Sequence, residues 1–226
     1  LHGWPRIRVR VNPRFDWGRT EPHITRGSNH LRYVGPDLTL RLNTNAPLSH
    51  VLAQTAFVLP GELNFLLGSD ETLQTGIAET ARDFEQKTTD YWRQWTRRLA
   101  LPLEWQDAVI RAAITLKLSL YEDTGAIIAA MTTSIPEAPG SSRNWDYRYC
   151  WLRDAFFVVR ALNSLSEVAT MEDYLRWMSN VVIDSQGGHI QPLFGIGLEK
   201  SLPESFVDNL PGCLLYTSDA ADDTPC

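Results

Sequence analysis

The apolar residues of this chain change period near residue 69, and that change points to a mixed architecture. Upstream, Arg6-Ile7-Arg8-Val9-Arg10-Val11 alternates strictly between charged and apolar side chains, and Leu38-Thr39-Leu40-Arg41-Leu42 alternates as well. A period of two places one set on each face of a strand. Two further apolar runs, 55–59 and 63–67, flank Pro60-Gly61, a turn signal. Residues 1–68 therefore read as short strands joined by turns, part of a β-sandwich with open sheet edges. From residue 71 the spacing becomes helical. Leu73, Ile77, Phe84, Tyr91, Trp92 and Trp95 predict one helix over 71–98, capped at Ser69-Asp70, with its aromatic stripe packed in a core. Trp105, Val109, Ala112, Ala113, Leu116 and Leu120 predict one face of a second helix over 103–121, entered from Pro102 and stopped at Asp123-Thr124-Gly125. Residues 126–130 form a short apolar run suited to extended chain, and 132–142, with Pro136, Pro139 and Gly140, predict an irregular loop. A third helix is expected from Trp151 or Leu152 to Leu165. A fourth, over 171–183, carries Tyr174, Leu175, Trp177, Met178 and Val181.

Composition narrows the function classes. At 226 residues, 43% hydrophobic and 21% charged, the chain is long enough and apolar enough to fold around a core. A formal net charge of −6 with no basic stripe argues against a nucleic-acid partner. No apolar stretch is long enough to span a bilayer, so no membrane partner is expected. The three cysteines, Cys150, Cys213 and Cys226, are too sparse for a disulfide framework, and Cys150 is expected to act as a small buried hydrophobe. His189 stands alone, without ligands at metal spacing, and neither a phosphate-cradling loop nor a nucleophile elbow is present. No metal or cofactor is therefore expected. The chain opens on Leu1, directly before a strand-like segment, which suggests a fragment that begins inside a domain; a signal peptide stays open. Localisation is left open, with the cytoplasm favoured.

The run from Arg143 to Asp154 carries the chemistry. Its twelve positions hold four aromatic rings and five charges. Aromatic rings cover the apolar C–H faces of a pyranose, while fixed charged groups hydrogen-bond its hydroxyls. The bland alternatives are an Arg153–Asp154 structural ion pair or helix-end charge, and plain core packing for Tyr147 and Trp151. Trp145, Asp146, Arg148 and Tyr149 are weaker candidates, with alternate positions expected to face inward as support.

With Thr132-Thr133-Ser134-Ile135-Pro136-Glu137 upstream, the run Arg143-Asn144-Trp145-Asp146-Tyr147-Arg148-Tyr149-Cys150-Trp151-Leu152-Arg153-Asp154 resembles the bacterial branch of glycoside hydrolase family 15, which includes glucoamylases, glucodextranases and trehalases. The similarity extends from about residue 5 to about Gly212. The resemblance implies an α+β multidomain fragment: the C-terminal part of an N-terminal β-sandwich in 1–68, a linker helix in 69–102, and the first helices of an (α/α)6 barrel in 103–212. Residues 213–226 leave the family pattern and resemble translated sequencing adapter, a genuine acidic tail being the alternative. The resemblance also implies that Arg153 and Asp154 hold the hydroxyls of a terminal glucose, with Tyr147 and Trp151 around the same unit. The substrate would be an α-linked glucose oligosaccharide or trehalose, cleaved with inversion by an exo-acting enzyme. The two catalytic glutamates of the family lie further downstream, so no catalytic residue is assigned, Glu137 included, and the 226 residues alone are expected to be inactive. Gln191-Pro192-Leu193-Phe194-Gly195 is similar to a family segment near the pocket, but Gly195-Ile196-Gly197-Leu198-Glu199 lacks the Asp usual there, which leaves that loop's contribution open. The competing classes are a non-catalytic carbohydrate-binding or regulatory protein on the same barrel, and a transferase or phosphorylase. Uncovered apolar faces predict aggregation of the fragment.

Overall fold

The computed structural model describes residues 3–133, 135–136, 138, 144–185, 188–203 and 209. Ser134, Glu137, Arg143 and the tail with Cys213 and Cys226 lie outside the described residues, as do the expectations that fall on them. The chain is mixed α and β and divides into two compact units, Leu1–Trp92 and the residues from Arg93 onward.

The first unit is built on a four-stranded antiparallel sheet in the order His23–Arg26, His30–Val34, Thr39–Thr44 and Phe65–Ser69. Its core follows from the strand period. Leu31 pairs with Leu42 and Tyr33 with Leu40, and Leu31, Tyr33 and Leu42 are buried with Leu48, Val51 and Phe57. Leu48 and Val51 come from a short helix, α1 (Leu48–Leu52), which the strand pattern did not predict. Alternation along 6–11 survives as burial: Ile7, Val9 and Val11 pack on this core while the intervening arginines are exposed. Only Arg6–Ile7 forms a ladder, with Phe57–Val58, because Pro60 and Gly61 follow that short partner.

The opposite sheet face corrects the predicted helix cap. Arg32 and Arg41 are register partners, and like charges directly across a ladder repel. Asp70 lies between them, accepting Arg32 Nε at 2.9 and 2.8 Å and the Arg32 Nη2 group, with Arg41 Nη1 3.6 Å away. The Arg32 hydrogen bonds hold the Asp70 carboxyl below its ordinary pKa. Asp70 is thereby committed to the sheet, and α2 (Ile77–Arg97) starts seven residues later, behind Gly76, whose carbonyl accepts Thr80 N–H at 2.9 Å. The aromatic stripe of α2 is core only in part: none of its residues is fully buried and Phe84 is 62% exposed, while Trp95 packs on the cluster of Leu99, Ala113 and Leu162.

In the second unit, α3 (Gln106–Lys117) is shorter at both ends than predicted. Trp105 has φ 62°, a left-handed conformation that cannot continue a right-handed helix, and is 80% exposed rather than on the buried face; Ala112 is exposed too. At the other end Leu120–Tyr121 leaves the helix to pair with Ala126–Ile127. The hairpin closes through Gly125, at φ +87°, where an added Cβ would lie 2.3 Å from the Asp173 carbonyl oxygen. The helices α4 (Leu152–Ser164) and α5 (Ala169–Ile183) lie where helical spacing placed them. Tyr174, Trp177 and Val181 of α5 pack with Ala126, Ile127, Cys150, Ala155 and Phe194 in the main core of this unit. Leu99, Ala113 and Leu162 form a second cluster.

Candidate functional site

The aromatic run is held from both sides by backbone hydrogen bonds. Ala130 N–H donates to Tyr147 C=O at 2.9 Å, Tyr147 N–H to Thr132 C=O at 3.1 Å, and Ala129 N–H to Tyr149 C=O at 3.0 Å. On the other flank Cys150–Trp151 pairs with Leu193–Phe194, and Leu152 N–H donates to Pro192 C=O at 3.0 Å. Gln191-Pro192-Leu193-Phe194 thus lies beside the candidate site. It continues into a tight turn in which Glu199 accepts the Gly197 N–H at 2.9 Å. Beneath the run, Cys150 has no exposure, and burial pushes its thiol pKa up to about 12. Such a thiol is not a nucleophile at neutral pH.

Trp151 is the last extended residue before α4, so Arg153 and Asp154 fall in the first helical turn. Adjacent helical residues point about 100° apart, and at a helix start both can still reach one opening. All four candidate residues meet there. Tyr147, Trp151, Arg153 and Asp154, together with Trp145, line a cleft of about 180 Å³. This is smaller than the roughly 300–1,000 Å³ of pockets that enclose a whole drug-sized ligand. It suits contact with a single small ring. The Tyr147 and Trp151 rings are half-buried, 5.8 Å apart between centroids and tilted by 37°. Arg153 donates through Nε (3.2 Å) to Asp154 Oδ2, and its Nη2 lies 3.1 Å from the same oxygen. The pair is accessible, with side chains 77% and 36% exposed.

Sequence reasoning undervalued Asp146. Its side chain is 1% exposed and accepts the Arg148 backbone N–H at 3.0 Å, Nε at 2.9 Å and Nη2 at 2.7 Å. The carboxylate raises the Arg148 pKa above the usual guanidinium value. Asp146 and Arg148 line a separate concavity of about 420 Å³, with Tyr149 and Ile128. Alternation therefore divides the run: Trp145 and Tyr147 line one cleft, Asp146 and Arg148 the other. Tyr149 departs from the pattern. The D-x-R spacing was the signal available in the sequence. Among the described residues, no group of three His, Cys, Asp or Glu side chains is placed to hold a metal, and His189 is exposed. No described helix is long and apolar enough to cross a membrane.

The chain is 39% identical over 181 residues to a trehalase of Mycolicibacterium smegmatis, covering 77% of this chain and 27% of that protein. It is 37% identical over 137 residues to a trehalase of Mycobacterium tuberculosis, covering 59% of this chain and 20% of the relative. Trehalase 1 of Sulfolobus acidocaldarius is 29% identical over 215 residues, covering 91% of this chain and 36% of the relative. The chain thus spans about a third or less of the length of these curated relatives. No solved structure matches it. Residues 104–208, which contain the cleft, match the family model for glycosyl hydrolases family 15.

Proposed function

We propose that this chain is the sugar-holding segment of a longer glycoside hydrolase that acts on trehalose. The observation that carries the reading is the single cleft joining Trp145, Tyr147, Trp151, Arg153 and Asp154. Half-buried rings offer apolar faces to a pyranose, and a ring beside the reacting sugar stabilises an oxocarbenium-like transition state. Arg153 and Asp154 supply a donor fork and an acceptor for the hydroxyls. Their mutual ion pair does not block this role. Exposed pairs are worth about 0–1 kcal/mol, so exchanging it for sugar hydroxyls costs little. That the curated relatives are named trehalases supports trehalose as the substrate here rather than a longer α-linked glucose oligosaccharide.

On this reading α3, α4 and α5 open an (α/α)6 barrel, 69–102 is a linker and 1–68 is the C-terminal part of a β-sandwich. The general acid and base are two glutamates from the rest of the longer protein. In an inverting enzyme they stand about 6.5–9.5 Å apart, with a water between one of them and the sugar. One carboxylic acid gives its proton to the glycosidic oxygen, and the other carboxylate takes a proton from the attacking water. Holding one terminal sugar in a small cleft gives exo action.

Titration of the chain with trehalose, followed by NMR of the tryptophan indoles, tests the cleft. Trp151→Ala and Arg153→Ala should each weaken binding by about 2 kcal/mol, the scale of a central contact. Unchanged affinity in both variants would sink the assignment. The 226 residues alone should release no glucose from trehalose, and release by purified chain would refute the division of labour. Hydrolysis of trehalose by the longer protein should yield α- and β-glucose in equal amounts at early times, before mutarotation. Two α-glucose products would exclude inversion.

A further inference from the structure

Asp146 and Arg148 do not line the proposed sugar cleft, yet they bracket Tyr147, which does. The Asp146 carboxylate is 1% exposed. Its Oδ1 accepts the Arg148 backbone N–H at 3.0 Å, closing a short link from residue 146 to residue 148 across Tyr147. The Arg148 side chain then folds back, with Nε 2.9 Å from Oδ1 and Nη2 2.7 Å from Oδ2. Tyr147 itself donates its backbone N–H to Thr132 and accepts from Ala130. Its peptide is therefore fixed on both sides of the chain. Fixing the peptide fixes the Cα–Cβ direction, and the ring lies 5.8 Å from that of Trp151.

We propose that Asp146 and Arg148 are positioning residues: the buried Asp146 carboxylate, closed by the Arg148 fork, sets the Tyr147 ring against Trp151 and so raises affinity for sugar without touching it. This rests on the proposed sugar cleft. The chemistry needs both charges. A buried carboxylate must be paired and hydrogen-bonded, and here one oxygen serves the backbone while both serve the fork. Asp146→Asn keeps the shape but turns an NH2 group towards a donor. Arg148→Lys keeps the charge but loses the planar fork.

A double-mutant cycle on the 226-residue chain, titrated with trehalose, tests this. Asp146→Asn should weaken binding about three- to tenfold, within the coupling expected of neighbours. In a Tyr147→Ala background the same substitution should have no further effect, because there is no ring left to position. Equal losses with and without the Tyr147 ring would overturn the proposal, as would unchanged affinity in a folded Asp146→Asn variant. Should that variant fail to fold, Arg148→Lys enters the same cycle with the same expectations. The nuclear Overhauser effect between the Tyr147 and Trp151 rings is read without sugar. It should weaken in Asp146→Asn and in Arg148→Lys, and its persistence in both would overturn the positioning role. If the parent chain binds no trehalose while this ring contact still depends on Asp146, the sugar reading fails and the positioning role stands.

Discussion

Burial dominates the chemistry of Cys150. The side chain has no exposure, and its pKa is pushed up to about 12, chiefly by desolvation of the thiolate. In the unfolded chain a cysteine ionises near about 8.5. Between these values the folded state keeps a proton that the unfolded state loses, so stability falls as pH rises from about 8.5 towards 12. The full contribution is present below that window. Cys150→Ala should flatten this alkaline decline, measured as unfolding free energy against pH; an unchanged slope would show that the thiol titrates normally. The sequence already marked Cys150 as a small buried hydrophobe. It did not reveal that Asp146, four residues earlier, is buried too, because a charged residue in a loop reads as solvated until its partner is known.

The helices show which signals are local. The spans of α4 and α5 were legible because apolar residues recur every third or fourth position and no competing partner intervenes. The ends of α2 and α3 were not. Asp70 is taken by Arg32 across the sheet, and Leu120 by a hairpin with Ile127. Both partners are distant or non-helical, so a helical window cannot see them. Gly125 is the residue on which the hairpin turns. A side chain there meets the Asp173 backbone at 2.3 Å and must hold φ +87°. Gly125→Ala should cost at least about 1–3 kcal/mol, the scale of a residue forced into a rarely populated conformation. Denaturant unfolding checks this, and a loss below about 0.5 kcal/mol would mean that the turn relaxes freely.

At the scale of the molecule, each unit has its own core, yet large apolar side chains remain outside. Ile183 is 81% exposed, Phe157 58%, Leu175 55% and Phe156 54%, on α4 and α5. Exposed apolar faces of this kind drive association. Leu175→Lys with Ile183→Lys should lower binding of a hydrophobic dye and raise the concentration at which the chain stays monomeric. Stability should stay within about 0.5 kcal/mol, as for surface changes that remove no packing. A large drop in the unfolding midpoint would show instead that these residues are packed.

The sequence by itself determined the mixed architecture and the two long helices of the second unit, since each depends on spacing within a short window, whereas Tyr147, Trp151, Arg153 and Asp154 were singled out by the family resemblance. It also carried the resemblance to glycoside hydrolase family 15, through two contiguous motifs. Only the tertiary structure decided that Trp145 and Tyr147 share a cleft with Trp151, Arg153 and Asp154 while Asp146 and Arg148 face a second concavity. It alone assigned Asp70 to the sheet and left Trp105 in solvent. The physical reason is common to these cases. Backbone periodicity is a local property, whereas the partner that satisfies a charge or covers a ring is chosen from everything the fold brings within a few ångströms.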